Sequence, residues 1–210
     1  MPSFQDNVVA ICQAELQTFK DGKRKETEAA VYQRVGEYWA AVPVPGFDGR
    51  TVLKDSKGKP YRPAWSAAFV SYVVTQAGAG AKFKTTKAHC HYVEAARAAA
   101  AAGANKAYHA ADPYSAVPAV GDIVVAGREY AEQLTYKQAE LAYMADGFYP
   151  SHGDFVVSVD AQKRELVVVG GNVGDSVATK RLALSPSGRL LDRKDGNKVL
   201  PWLALLRCQL

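Results

Sequence analysis

The sequence predicts an α+β fold, because apolar residues recur at helical spacing through the first half and at strand spacing through the second, with no repeat or linker between. A chain of 210 residues, 48% hydrophobic and 22% charged, has the length and composition of one soluble domain with a substantial core. We therefore read residues 1–210 as a single domain, with an N-terminal helical arm over 1–45 and a core over 60–210.

Val8, Ile11, Cys12, Leu16 and Phe19 place a first helix over residues 4–20, stopped at Asp21-Gly22. A second helix is expected from Thr27 to Ala41, with Ala30, Val31, Val35, Tyr38 and Trp39 on one side. The segment from Pro43 to Pro63 is rich in Gly, Pro, Asp and Lys and reads as a loop, with a short hairpin over 54–61. A third helix starts abruptly in AWSAAFVSYVVTQAG. It is apolar on most sides, which marks it as the buried central helix, and Gly78 is its natural stop. HCHYVEAARAAAAAGAN, residues 89–105, is a fourth, whose alanine run reflects helix propensity rather than chemistry. After the turn-rich stretch 112–122, strands are expected over 122–128, 152–160, 165–172 and 199–208, forming an antiparallel meander.

The net charge of +5 mildly favours anionic partners, but no basic cluster interleaved with aromatics suggests a nucleic-acid groove. The N-terminus lacks the pattern of a signal peptide, and no apolar run is long enough to span a membrane. A protein acting on cell wall would then be made in the cytoplasm and reach the periplasm by a specialised route, or lose a leader first. Three widely spaced cysteines, Cys12, Cys90 and Cys208, describe neither a disulfide framework nor a zinc ribbon.

Ser66 is the first candidate for chemistry. At the start of a buried helix it would sit beside unpaired amides and the positive end of the helix dipole, which favour an attacking nucleophile and a developing oxyanion. The competing role is a plain N-cap. His152 opens a strand, and a turn over 160–164 returns Gly171-Asn172 beside it. Asn172 across the ladder, or Asp154 two residues on along the same face, would orient its imidazole as a base. Asp122 more naturally caps a turn. His89-Cys90-His91 makes a poor metal site, since adjacent helical residues diverge by about 100° and no partner pair follows at i+4. Cys90 has no activating setting. No cofactor or metal is expected.

Taken in order, Trp65-Ser66-Ala67-Ala68-Phe69-Val70, Gly121-Asp122-Ile123-Val124, His152 and Asn172 resemble the papain-like cell-wall hydrolases of the NlpC/CHAP superfamily, with Ser66 where those enzymes carry cysteine. From about residue 8 to Arg207 the chain resembles still more closely a bacterial family, domain of unknown function 2272, through its PWSAAF, SHGDFVV and GGNV segments. The resemblance implies a papain-like fold and a hydrolase of acyl bonds, foremost the amide bonds of peptidoglycan peptide stems. It implies Ser66 as nucleophile, His152 as base and Asn172 or Asp154 as orienter. Trp65, His89, Tyr92 and Asp175 are the candidates for lining its substrate groove. A leaderless enzyme of this kind resembles secreted antibacterial effectors, which implies an immunity-protein partner. The alternatives are a serine esterase, lipase or acyltransferase on the same fold, and a binding module without catalysis.

Overall fold

The computed structural model describes residues 2–44 and 46–210; Met1 and Pro45, the latter within the expected loop, lie outside them. The described residues form five α-helices packed on one face of a six-stranded, wholly antiparallel sheet, with two small two-stranded ribbons. This is an α+β arrangement.

Helix α1 (Phe4–Phe19) begins in a capping box between Ser3 and Asp6, which satisfies two otherwise orphaned amides. Val8, Cys12 and Phe19 are fully buried in the main core, so the N-terminal segment shares its interior with the rest of the chain. Helix α2 (Tyr32–Ala40) is shorter than the expected 27–41. Its first turn is replaced because Glu26 turns inward to accept a 2.5 Å hydrogen bond from Trp65 Nε1, and its backbone packs against Gly49. A side chain at position 49 would overlap the Glu26 carbonyl, so the helical path is closed there. Buried Glu15 on α1 binds Arg34 and Tyr38 on α2, and Arg34 donates to Tyr72 on α3 (Ser66–Gln76) at 2.6 Å. The three helices are thus tied by one polar cluster.

Strands β1 (Leu53–Lys54) and β2 (Pro60–Tyr61) form the expected hairpin. Helix α4 (His89–Ala102) ends at left-handed Gly103. The large sheet runs β3 (Tyr108–Ala111), β10 (Trp202–Cys208), β4 (Ile123–Gly127), β5 (Ser151–Asp160), β6 (Glu165–Gly170), β7 (Ala178–Ala183). The expected strands at 122–128, 152–160, 165–172 and 199–208 are present within two or three residues. The meander holds only for β4 to β7, since β10 returns to insert between β3 and β4. Four features come from the structure alone: β3, β7, the ribbon of β8 (Arg193–Asp195) with β9 (Lys198–Leu200), and helix α5 (Tyr136–Asp146). Each is short or carries mixed polarity, and α5 buries only Ala139 along its length.

Along β4 to β6 side chains alternate between two clusters. Ile123, Val125, Phe155 and Val169 face the helices, while Val124, Val156 and Val168 face the other side, against Trp202 and Leu205. This alternation decides how the site is assembled.

Candidate active site

Trp65 is the N-cap of α3 and Ser66 its first helical residue; Ser66 makes no capping bond. Its hydroxyl instead lies 2.6 Å from His89 Nε2 on α4. The N-cap role for Ser66 is therefore excluded. The first helical amide bond, Phe69 N–H to the Trp65 carbonyl at 2.9 Å, leaves the amides of Ser66, Ala67 and Ala68 ahead of it without intrahelical acceptors. On its other side, His89 Nδ1 is hydrogen-bonded to the Tyr92 hydroxyl one turn along α4. When Nδ1–H donates to that phenol oxygen, Nε2 is left as an acceptor for the Ser66 proton.

His152 does not take this place. Positions 152 and 154 share the alternation of Val156, which turns away from α3 and α4, whereas 153 faces the helices. The expected Ser66–His152 pair is thus replaced by Ser66–His89. His152 accompanies it from the start of β5, an interior strand, its ring centroid 5.5 Å from that of His89. Its Nε2 is 2.9 Å from Asp154 Oδ1, and Lys180 on β7 donates to Asp154 Oδ2 at 2.6 Å. Asp154, not Asn172, orients His152. Asn172 lines the same groove, in a left-handed backbone conformation, without a side-chain hydrogen bond among the described residues.

Two glycines make this packing possible. A Cβ at Gly153 would fall 3.1 Å from His89 Nδ1 and nearer still to the Tyr92 hydroxyl. One at Gly170 would overlap Asp154 and stand 3.1 Å from His152 Nε2. The loop after β6 is strapped by the N-terminal segment. Lys25 Nζ donates to the Gly174 carbonyl at 2.8 Å, Glu26 N–H to the Asp175 carbonyl at 2.8 Å, and Ser176 Oγ to the Arg24 carbonyl at 2.7 Å.

The remaining expected groove residues separate. Trp65 is a core residue, stacked on Tyr38 at 5.4 Å and packed beside Phe19, so it contacts no groove. Tyr92 is buried and acts through His89 rather than lining the groove. The Asp175 side chain is exposed outside the groove. Only His89 of the four lines it. Asp122 accepts from the Ala119 and Cys208 amides, as a turn anchor would. Cys90 is buried, which pushes its thiol up and makes it unreactive. Among the described residues no group of three or more His, Cys, Asp or Glu is placed to hold a metal, and no helix is long and apolar enough to cross a membrane.

The groove has a volume of about 640 Å³ and brings together Ser66, His89, His152, Asn172, Lys87 and Arg128. Lys87 and Arg128 are exposed and form no salt bridge among the described residues. Burial, reinforced by the facing His152 ring, holds His89 well below the ordinary histidine value of 6.5. Burial lowers His152 too, although Asp154 pulls the other way. Burial alone would raise Asp154, but His152 and Lys180 outweigh it and hold the carboxyl below its usual range. Around Ser66 the site therefore presents two neutral imidazoles at neutral pH, with the Asp154 carboxylate behind His152, and Glu129 lines the groove beside Arg128. Lys180, Arg128 and the two glycines had no sequence signal of their own, since their roles depend on strand register.

Fold and site define an α+β protein with a serine–histidine pair where a helix start meets the sheet. A family model described as an uncharacterized protein conserved in bacteria, domain of unknown function 2272, matches residues 26–208, and the chain belongs to that family. No curated protein and no solved structure matches.

Proposed function

We propose that this protein hydrolyses acyl bonds with Ser66 as nucleophile and His89 as base. The observation that carries the proposal is the 2.6 Å approach of Ser66 Oγ to His89 Nε2 inside an open groove. As Ser66 Oγ attacks the acyl carbon, its proton passes to His89 Nε2 and the carbonyl electron pair becomes an oxyanion beside the free amides of the α3 start. His89 then returns the proton to the leaving nitrogen or oxygen, and water reverses the sequence to release the acid. His152, held by Asp154, supplies a second oriented imidazole to the bound substrate. The order of a serine-bearing helix, a Gly-Asp strand and a histidine-bearing strand supports a papain-like arrangement of the NlpC/CHAP type, and with it an amide of a peptidoglycan peptide stem as substrate, although the proposed base comes from α4 and not from that strand. Lys87 and Arg128 suit the carboxylates of such stems. An antibacterial effector role with an immunity partner belongs to the same proposal.

A second reading, ester hydrolysis or acyl transfer, is favoured by the group behind His89. It is a neutral tyrosine rather than a carboxylate, and burial keeps that phenol protonated. The weaker base suits the better leaving group. Incubation of the purified protein with peptidoglycan and with a panel of p-nitrophenyl esters separates the two. New muropeptides that disappear in Ser66→Ala support the amide reading, and Ser66-dependent ester turnover alone supports the second. No Ser66-dependent product from either substrate would refute both.

A further inference from the structure

A second cavity lies behind Tyr92. It has a volume of about 470 Å³ and shares no residue with the Ser66 groove. One wall is the alanine face of α4, including Ala95, Ala96 and Ala99, whose small side chains leave the space open. The other walls are aromatic: Phe83 packs 5.4 Å from Tyr92 and 5.8 Å from Tyr108. The cavity's charges are all of one sign. Lys82, Lys84 and Lys106 stand exposed around it, no acidic residue lines it, and none of the three joins a salt bridge among the described residues.

We infer that this cavity binds a single-chain amphiphile with an anionic head, such as a medium-chain fatty carboxylate. The chain would lie along the alanine face against Phe83 and Tyr108, and the carboxylate would meet the lysines at the mouth. Apolar walls supply the burial, and three ammonium groups without a carboxylate partner among the described residues, of which Lys106 also reaches the Ala81 carbonyl at 3.4 Å, supply the selection of charge. The Tyr92 ring forms part of the wall while its hydroxyl holds His89, so an occupant would touch the residue that steadies the base. The inference does not depend on the proposed hydrolysis, because its walls and charges belong to a separate cavity.

The test titrates the whole chain, labelled with ¹³C at alanine methyls, with dodecanoate, dodecyltrimethylammonium and dodecyl maltoside, all below their micelle concentrations. Dodecanoate is expected to shift the Ala95, Ala96 and Ala99 methyls and to bind at least tenfold more tightly than the cationic amphiphile. Ala98→Leu partly fills the cavity at an exposed helical position, where leucine is a good helix former. It should weaken binding at least tenfold with an unchanged melting curve. Lys82→Glu combined with Lys84→Glu should remove the preference for the anion, and Ser66→Ala should bind as the parent does. Equal affinity for all three amphiphiles, shifts confined to other alanines, or no binding would each overturn the inference.

Discussion

Gly170→Ala tests the construction of the site more sharply than removal of any reactive group. The added Cβ would stand 1.9 Å from Asp154 Oδ1, against the 3.4 Å at which ordinary contact begins, so the carboxylate must withdraw by about 1.5 Å. That displacement breaks its 2.9 Å bond to His152 and its 2.6 Å bond to Lys180. Asp154 is nearly inaccessible, with a side-chain exposure of 3%, so little solvent replaces what is lost. Separating a buried charge from its partner costs about 3 kcal/mol or more, and for a domain of this size that lowers the melting temperature by roughly 6–12 °C. Gly170 has no left-handed backbone, and alanine in a strand would otherwise be favoured by about 0.5–1 kcal/mol. Urea unfolding of a double-mutant cycle isolates the cause: in an Asp154→Ala background the same Gly170→Ala change should cost less than about 1 kcal/mol, because the obstructing carboxylate is gone. An equal cost in both backgrounds, or a cost below about 0.5 kcal/mol in the parent, would refute the clash.

Four further outcomes are expected. Ser66→Ala and His89→Ala should each lower turnover of a cleaved ester or muropeptide at least about 10³-fold, as loss of a nucleophile or its base does, with intact near-UV circular dichroism; a residual rate near the parent's in either variant would remove that residue from the mechanism. Because His89 is held below 6.5, it stays neutral at mildly acidic pH, and the acid limb of kcat/KM should have its midpoint under that value, a midpoint at or above 6.5 contradicting the burial argument. For the same reason the unfolded chain binds more protons than the folded one just below 6.5, so the contribution of His89 and His152 to stability is complete above that pH and erodes as pH falls, which urea midpoints at several pH values would show. Arg128→Ala should raise KM for the hemisuccinate of p-nitrophenol by tenfold or more while leaving the neutral butyrate ester unchanged, and a parallel loss on both esters would deny the guanidinium a role in recognising carboxylates.

The long apolar elements were legible because each follows a single period. The α3 run starting at Ser66 and the apolar run of β5 could be placed within a residue or two from sequence alone. Helix α2 was not, because its first turn yields to the Glu26–Trp65 bond between residues 39 positions apart. At the site, the sequence offered the Ser66, His89, His152 and Asp154 side chains but expected His152 beside Ser66, where the structure places His89. The hairpin over 160–164 forms as expected, but its ladder ends at Phe155 and Val169 and β6 stops at Gly170, so Asn172 lies beyond the pairing. Register along the strand, however, does not say which sheet face the helices cover. Phe155 and Val156 are both fully buried, so burial hydrophobicity on the two faces is the same, and a sequence pattern that is apolar on both sides hides the inward face. The glycines at 153 and 170 carry that missing information only once the neighbouring helices and strands are in place.

A serine at a helix start asks more of its surroundings than a cysteine there. A thiol gives up its proton in advance and the helix amides hold the thiolate, whereas a serine keeps its proton until attack and needs a base that is adjacent, unprotonated and able to carry the charge it receives. Burial keeps His89 unprotonated but also penalises the imidazolium that the proposed catalysis would form. Its hydrogen-bond partner, Tyr92, is neutral and offsets only part of that penalty, by accepting from Nδ1–H. The compensating charge is Asp154, which favours the protonated form of His89 from a distance while bonded to His152. One carboxylate thus supports two imidazoles, and Lys180 moderates it. It follows that Asp154→Asn, which keeps the shape of the side chain and removes its charge, should move the acid limb of the Ser66-dependent reaction to lower pH and slow the reaction. His152→Ala, which leaves that charge in place, should slow the reaction less and shift the limb the other way, since the facing ring disfavours protonation of His89. If Asp154→Asn leaves the limb where it was, the anion does not act on His89, and the base must draw its support from the tyrosine alone.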